Sequence, residues 1–159
     1  MSSQLRVDKI IPVDGVPTGG GGGIIQVVQS LREGQFEQSF SSETTVMSAT
    51  ITPKFNTSKI LIQHSNTSCG TRDGSTHYEL YIKRGSTRIH TIGTYIGLNT
   101  GTDVCFPTTC FMDSPATTSA VTYTIFALRK GGSANCYFNL DNGGSISHNA
   151  VLLLMEVSA

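Results

Sequence analysis

Val121-Thr-Tyr-Thr-Ile-Phe-Ala-Leu-Arg129 is the stretch on which the reading of the fold turns. Val121, Tyr123, Ile125 and Ala127 fall on one side of a period of two, and Phe126 and Leu128 fall on the other. Successive side chains of a strand point to opposite faces, so this is a strand with one wholly apolar side and a second side that is apolar at its centre. A two-layer β-sandwich buries only one face of each strand. The second face of Val121–Arg129 therefore calls for cover, from a neighbouring copy or from a loop. The run Val151-Leu-Leu-Leu-Met155 poses the same question.

Working outward, the same alternation recurs along the chain. Ile24–Gln29 is apolar enough for a central strand. Val46, Ser48, Thr50 and Thr52 alternate with Met47, Ala49 and Ile51 up to Pro53, and Lys59–Ser65 sets Ile60 and Ile62 against Leu61 and Gln63. Further strands are expected at His77–Lys83, Arg88–Tyr95, Val104–Met112, Cys136–Leu140 and Val151–Val157. Turn-forming residues separate them, among them Arg84-Gly-Ser, Asp113-Ser-Pro and Lys130-Gly-Gly. No stretch carries a capped stripe of period 3.6; Ser30–Gln38 is expected to hold a helical turn at most, because Gly34 interrupts it. Roughly eight to ten short strands so punctuated imply an all-β, jelly-roll-like β-sandwich over residues 24–159. Composition agrees. Only 14% of the 159 residues are charged, and Thr, Ser and 17 glycines take up the difference, which suits turns and strands and disfavours helices.

Ahead of this domain lies a five-glycine run, Gly19–Gly23, read as a flexible hinge. It is preceded by a short arm over residues 1–18. Leu5, Val7, Ile10, Ile11, Val13 and Val16 are more apolar side chains than a solvated tail should expose. They suit a segment that docks back on its own domain or one that anchors the chain to another protein.

Net charge is zero, with 11 basic and 11 acidic residues, so no basic surface is available for nucleic-acid phosphates. The start has no secretory pattern, and no apolar run approaches the ~20 residues of a membrane span. Cys69, Cys105, Cys110 and Cys136 form no C-x2-C pair and are expected to be free, buried and apolar in behaviour. Asn56-Thr-Ser58 and Asn66-Thr-Ser68 match the glycosylation triplet and are expected to serve as turn residues. His77 and Glu79 share a strand face and form the nearest approach to an acid–base or metal pair. No catalytic motif and no cluster of carboxylates accompanies them, and no enzyme, metal or cofactor is expected. What remains is surface: the loops Asn66–Thr76, Gly97–Asp103, Ala116–Ser119 and Leu140–Asn149. Arg72, Asp73, Tyr95, Asn99, Asp103, Asn142 and His148, in or beside them, are the candidates for recognition.

The arm and hinge running into Ile24-Ile-Gln-Val-Val-Gln29 resemble a recurring segment of structural proteins of phages, particularly those infecting cyanobacteria. Ala49-Thr-Ile-Thr-Pro53 with Thr57-Ser-Lys-Ile-Leu-Ile62, Tyr81-Ile-Lys-Arg-Gly-Ser-Thr87, Met112-Asp-Ser-Pro-Ala-Thr-Thr-Ser119 and Leu154-Met-Glu-Val157 are similar to the terminal knob of tail-fibre-like proteins. The resemblance implies a homotrimeric knob in the virion, assembled in the host cytoplasm, joined to other virion proteins through the arm and displayed towards a host-surface glycan or protein. Only the arm and hinge precede the knob, with no shaft, so a capsid decoration protein is the alternative. A lectin module or a sugar-cleaving enzyme on the same fold is a more distant one.

Overall fold

The computed structural model describes residues 23–65, 69–71, 75–96, 106–139 and 149–158. Eleven strands lie among them, and no helix. In chain order they are β1 (Ile24–Glu33), β2 (Phe36–Gln38), β3 (Thr44–Ile51), β4 (Lys59–Ser65), β5 (Cys69–Thr71), β6 (His77–Arg84), β7 (Thr87–Ile96), β8 (Thr108–Asp113), β9 (Val121–Gly131), β10 (Cys136–Phe138) and β11 (Asn149–Val157). Two four-stranded antiparallel sheets, β1-β11-β4-β8 and β3-β9-β6-β7, face each other, and a three-stranded sheet, β2-β10-β5, completes the arrangement. Eight long strands interleaved between two sheets in this order make a jelly-roll β-sandwich.

The period-two pattern explains the layers. From β11, Ala150, Leu152 and Leu154 point inward, and from β4 Ile60 and Ile62 do so. They meet Ile51, Leu80, Ile82, Tyr123 and Ile125 from the other sheet. In β3 the pairing with β9 shifts between Thr45 and Met47. This bulge lets the consecutive Val46 and Met47 both be buried, which strict alternation would forbid. The β6–β7 hairpin closes on Gly85-Ser86, with Arg84 opposite Thr87. Gly85 takes the positive φ of 57° that a two-residue hairpin turn requires at its first central position.

Two expectations are corrected. Ser30–Gln38 holds no helical turn: β1 runs on to Glu33, held by pairing of Arg32 with Ala150 and Glu33 with Asn149, and Gly34 turns the chain at φ 72° into β2. Asn66–Thr76 is not all loop, because Cys69–Thr71 is a buried strand. The cysteine expectation divides. Cys69 and Cys136 are buried thiols outside any disulfide, Cys110 is an exposed one, and Cys105 lies outside the described residues.

Register fixes where the connections leave. Glu33, Asn149, Ser65 and Thr108 sit at one end of the first sheet, and His77, Gly131 and Ile96 at the corresponding end of the second. The small sheet is built from the connections at this end. Beneath it Phe36, Phe40, Tyr78 and Phe138 pack edge to face and tilted, with centroids 5.3–6.3 Å apart. Such ring pairs add to plain area burial. Asn139 joins in with φ 53°, its side-chain amide donating to the carbonyls of Arg32 (3.0 Å) and Gly34 (3.1 Å).

Candidate functional site

For the loops proposed for recognition the structure gives the strand ends from which they leave. The connections holding 66–76, 97–103 and 140–149 leave from the same end of the sandwich, whereas Ala116–Ser119 joins β8 to β9 at the opposite end. Arg72, Asp73, Asn99, Asp103, Asn142 and His148 lie outside the described residues, as do Leu5, Val7, Ile10, Ile11, Val13 and Val16 of the arm. Tyr95 is on β7, its side chain also outside that description.

The described surface offers two broad faces, the outer sides of the two large sheets, and they differ in kind. On the β3-β9-β6-β7 side, Tyr81 stacks on Phe126 with centroids 6.0 Å apart. The Arg88 guanidinium lies 4.3 Å above the Tyr81 ring and the Lys83 ammonium 4.9 Å above Phe126. Glu43 accepts hydrogen bonds from Tyr81 and Lys83, and Glu79 from Arg88. Lys130 approaches Glu79 at 3.2 Å. The hydrogen bond from Arg88 outweighs burial and holds the Glu79 carboxyl below its usual pKa. Burial first, and Glu43 second, push the Tyr81 hydroxyl up. This lattice of rings and charges lies over the outward ring of Phe126. Cover for this side of Val121–Arg129 therefore comes in part from neighbouring strands of the same chain, where a neighbouring copy or a loop was expected, and leaves Phe126 and Leu128 half-buried. Glu79 is committed to Arg88 and Lys130, which leaves the His77–Glu79 pair without the free carboxylate that metal or acid–base work needs. Among the described residues no group of three metal-ligating side chains occurs, and no helix is long and apolar enough to cross a membrane.

The outer side of β1-β11-β4-β8 is the opposite. Register aligns Val27, Met155, Leu61 and Met112 in one row across all four strands. The next row is Gln29, Leu153, Gln63 and Cys110, and the one after it Leu31, Val151, Ser65 and Thr108. Val27 is 55% exposed, Leu31 46% and Met112 43% on the outer strands, and Leu61, Val151, Leu153 and Met155 between them are half-buried, whereas the inward Ile60, Ile62, Leu152 and Leu154 are fully buried. Ile24, at the start of β1, is equally open. These three rows contain no charged residue. Only Glu33, at the end of β1, and Lys59, at the start of β4, carry charge on this face, and they lie towards opposite ends of it. The sequence reading saw that Val151–Met155 is apolar on both sides, but only the pairing register shows that its outer residues continue into β1, β4 and β8.

Two buried polar clusters fasten the sandwich beside these faces. The Tyr123 hydroxyl donates to Asp113 at 2.7 Å and the Arg84 guanidinium to both oxygens of the same carboxylate at 2.9 and 3.1 Å, linking β8 to β6 and β9 across the two sheets. At the C-terminal end of β11, buried Glu156 accepts from the side-chain amide of Gln26 at 2.6 Å and from the backbone N–H groups of Lys54 (2.8 Å) and Phe55 (3.3 Å).

An antiparallel jelly roll with one self-covered and one bare sheet face is the class of protein that these observations define. No family model matches the chain, and no curated protein does. Solved structures do. The T=1 particles derived from infectious bursal virus match 97% of this chain and 42% of their own, at 11% identity and a TM-score of 0.53. The VP2 subviral particle of infectious bursal disease virus matches 84% and 39%, at 14% identity and a TM-score of 0.48. The Gx strain of that virus matches 99% and 45%, at 12% identity and a TM-score of 0.46. The chain spans about two fifths of the length of these structures. At a TM-score of 0.53 the likeness to the T=1 particles is one of fold.

Proposed function

We propose that this chain is a structural protein of a virus particle, which assembles with copies of itself and performs no catalysis. The observation that carries the reading is the uncharged, largely apolar outer side of β1-β11-β4-β8, a surface of a kind that often marks a contact with a partner. The jelly roll shared with part of a viral particle protein supports it, and so does the resemblance of the sequence to virion proteins of phages. In its finer form the reading is a short trimeric tail-fibre or appendage knob. Residues 1–18 attach it to another virion protein, residues 19–23 form the hinge, and the loop end of the sandwich is turned towards a host-surface glycan or protein. The arm would gain about 1.5–3 kcal/mol for each apolar side chain it buries fully, and linked arms would raise avidity through effective concentration. Capsid decoration is the second reading, favoured by the same bare face, which could lie against a shell as readily as against a sister copy.

Mass spectrometry and gold-labelled antibody on purified particles test the proposal. The chain should be found in the particle at a fixed stoichiometry and a fixed position. Its absence from particles overturns the reading. Particles lacking a fibre knob fail to adsorb to cells, whereas particles lacking a decoration protein adsorb but lose shell stability.

A further inference from the structure

The outer side of β1-β11-β4-β8 has no partner among the described residues, and its chemistry restricts what can cover it. A charged surface laid on it would lose hydration with nothing to pair against, at a cost that grows with burial. The covering surface must itself be nearly uncharged and apolar. The opposite sheet face of this same chain fails that requirement, because Glu43, Glu79, Lys83 and Arg88 lie across it. The bare face meets it: its sole charges, Glu33 and Lys59, are of opposite sign and stand towards opposite ends, and the whole chain has a net charge of zero. Copies can approach through this face with no net repulsion between them.

Size points the same way. Four strands about 4.8 Å apart and roughly seven residues long give a flat footprint on the order of 440 Å². That is the size of the largest patch a monomer's surface carries, a patch that is often functional. Two such footprints together, before pleating and rims are counted, bring about 900 Å² towards the ~1,200 Å² at which specific interfaces begin.

We infer that the outer face of β1-β11-β4-β8, centred on the row Val27, Met155, Leu61 and Met112, is the surface through which copies of this chain pack against one another. This rests on the virion-protein reading for its purpose, but its chemistry stands by itself. The occupant is the same face of a neighbouring copy, the copies gathered about one axis with the β1 edge at the margin.

Light scattering on the full chain gives the first measurement: a multiple of the 17.0 kDa chain mass is expected at micromolar concentration. Val27→Asp and Met155→Lys should each shift the species to a single chain with an unchanged β-sheet circular dichroism spectrum. Ser48→Asp, exposed on β3 of the other sheet, should leave the mass as it is. Cys110, exposed in the middle row of the face, supplies a second readout. Maleimide labelling, assigned to the site by mass spectrometry, should be at least ten-fold slower in the full chain than in Val27→Asp. A monomer whose Cys110 labels freely overturns the inference, and so does an oligomer that Val27→Asp leaves intact. A monomer whose Cys110 becomes reactive only when residues 1–22 are removed also overturns it, by making the leading segment the occupant. Particle composition separates the two claims. A chain present in particles but monomeric through this face sinks the inference alone, and a face-packed oligomer absent from particles sinks the virion reading alone.

Discussion

Tyr123 on β9 and Asp113 on β8 belong to different sheets, and the 2.7 Å hydrogen bond between them runs through the sandwich interior. Arg84 closes the group from β6 at 2.9 Å. Burial, then the Asp113 carboxylate, push the Tyr123 hydroxyl well above its usual pKa, so it remains a donor at any ordinary pH. Asp113→Ala leaves the buried Tyr123 hydroxyl with no acceptor and the Arg84 guanidinium with only the Ser114 carbonyl at 3.3 Å, and should cost about 2–3 kcal/mol in urea unfolding. Tyr123→Phe removes one donor while Arg84 still satisfies the carboxylate, and should cost about 1 kcal/mol. Equal losses in the two variants would mean that the cluster contributes packing and no electrostatic link.

Glu156 should act as an acid-sensitive fastening. Burial by itself raises its pKa, but hydrogen bonds from Gln26 and the backbone N–H groups of Lys54 and Phe55 outweigh it and hold the carboxyl below the usual carboxylate range. With the folded value below the unfolded one, the stabilisation is complete above the unfolded pKa and fades as pH falls through the folded one. Glu156→Gln should lower stability at pH 7 and flatten the acid limb of the pH–stability curve. An unaltered acid limb would show that the carboxylate is not held in its charged form by these donors.

His64 works in a neighbouring pH window by a different route. It points into the core from β4, and its Nδ1 donates to the Val151 carbonyl at 3.2 Å. Burial, opposed by that bond, lowers its pKa to about 4. The unfolded chain takes up its proton near pH 6.5 while the folded chain resists to about 4, so stability should fall as pH drops between those values. The full shift corresponds to on the order of 3 kcal/mol at the acid end. His64→Phe should remove this slope between pH 6.5 and 4, as read by thermal melts across that range. A slope that survives the substitution belongs to another group.

Much of the architecture was legible because the outward and inward side chains differ in kind. Lys59–Ser65 has its strand limits where alternation puts them. Val121 marks the start of β9, which outruns its expected end by only two residues, to Gly131. What alternation could not show was short or depended on a partner. Three residues of β2 or β5 are too few to display a period, and Cys69-Gly-Thr71 is buried on all three. His64 sits at a core-facing position, yet a lone histidine in a polar-rich stretch gives no sign of burial. Alternation does not show the cover over Phe126, because Tyr81 and Lys83 reach it from β6 while Arg88 roofs Tyr81 from β7, and cross-strand neighbours are set by register. The bare apolar face was half visible, in the doubly apolar β11, and needed the pairings to β1 and β4 before it became a surface.

The charge lattice on the covered sheet gives the last expectation, and it discriminates a self-sufficient face from one that waits for a partner. Glu79 is 5% exposed and takes an ion pair from Arg88 and a second from Lys130. Arg88 also lies 4.3 Å above the Tyr81 ring, so one guanidinium both neutralises a buried carboxylate and roofs a ring, to which it offers a delocalised plane that an ammonium lacks. Arg88→Ala should therefore destabilise by about 1–2 kcal/mol, and Arg88→Lys should restore less than half of that, because the charge returns without the plane. Neither variant should change the mass measured by light scattering, since this face is complete within one chain. Full rescue by lysine would reduce the contact to a simple ion pair. A change of oligomeric state in Arg88→Ala would show instead that copies meet through the lattice, and would move the assembly surface to the other side of the sandwich.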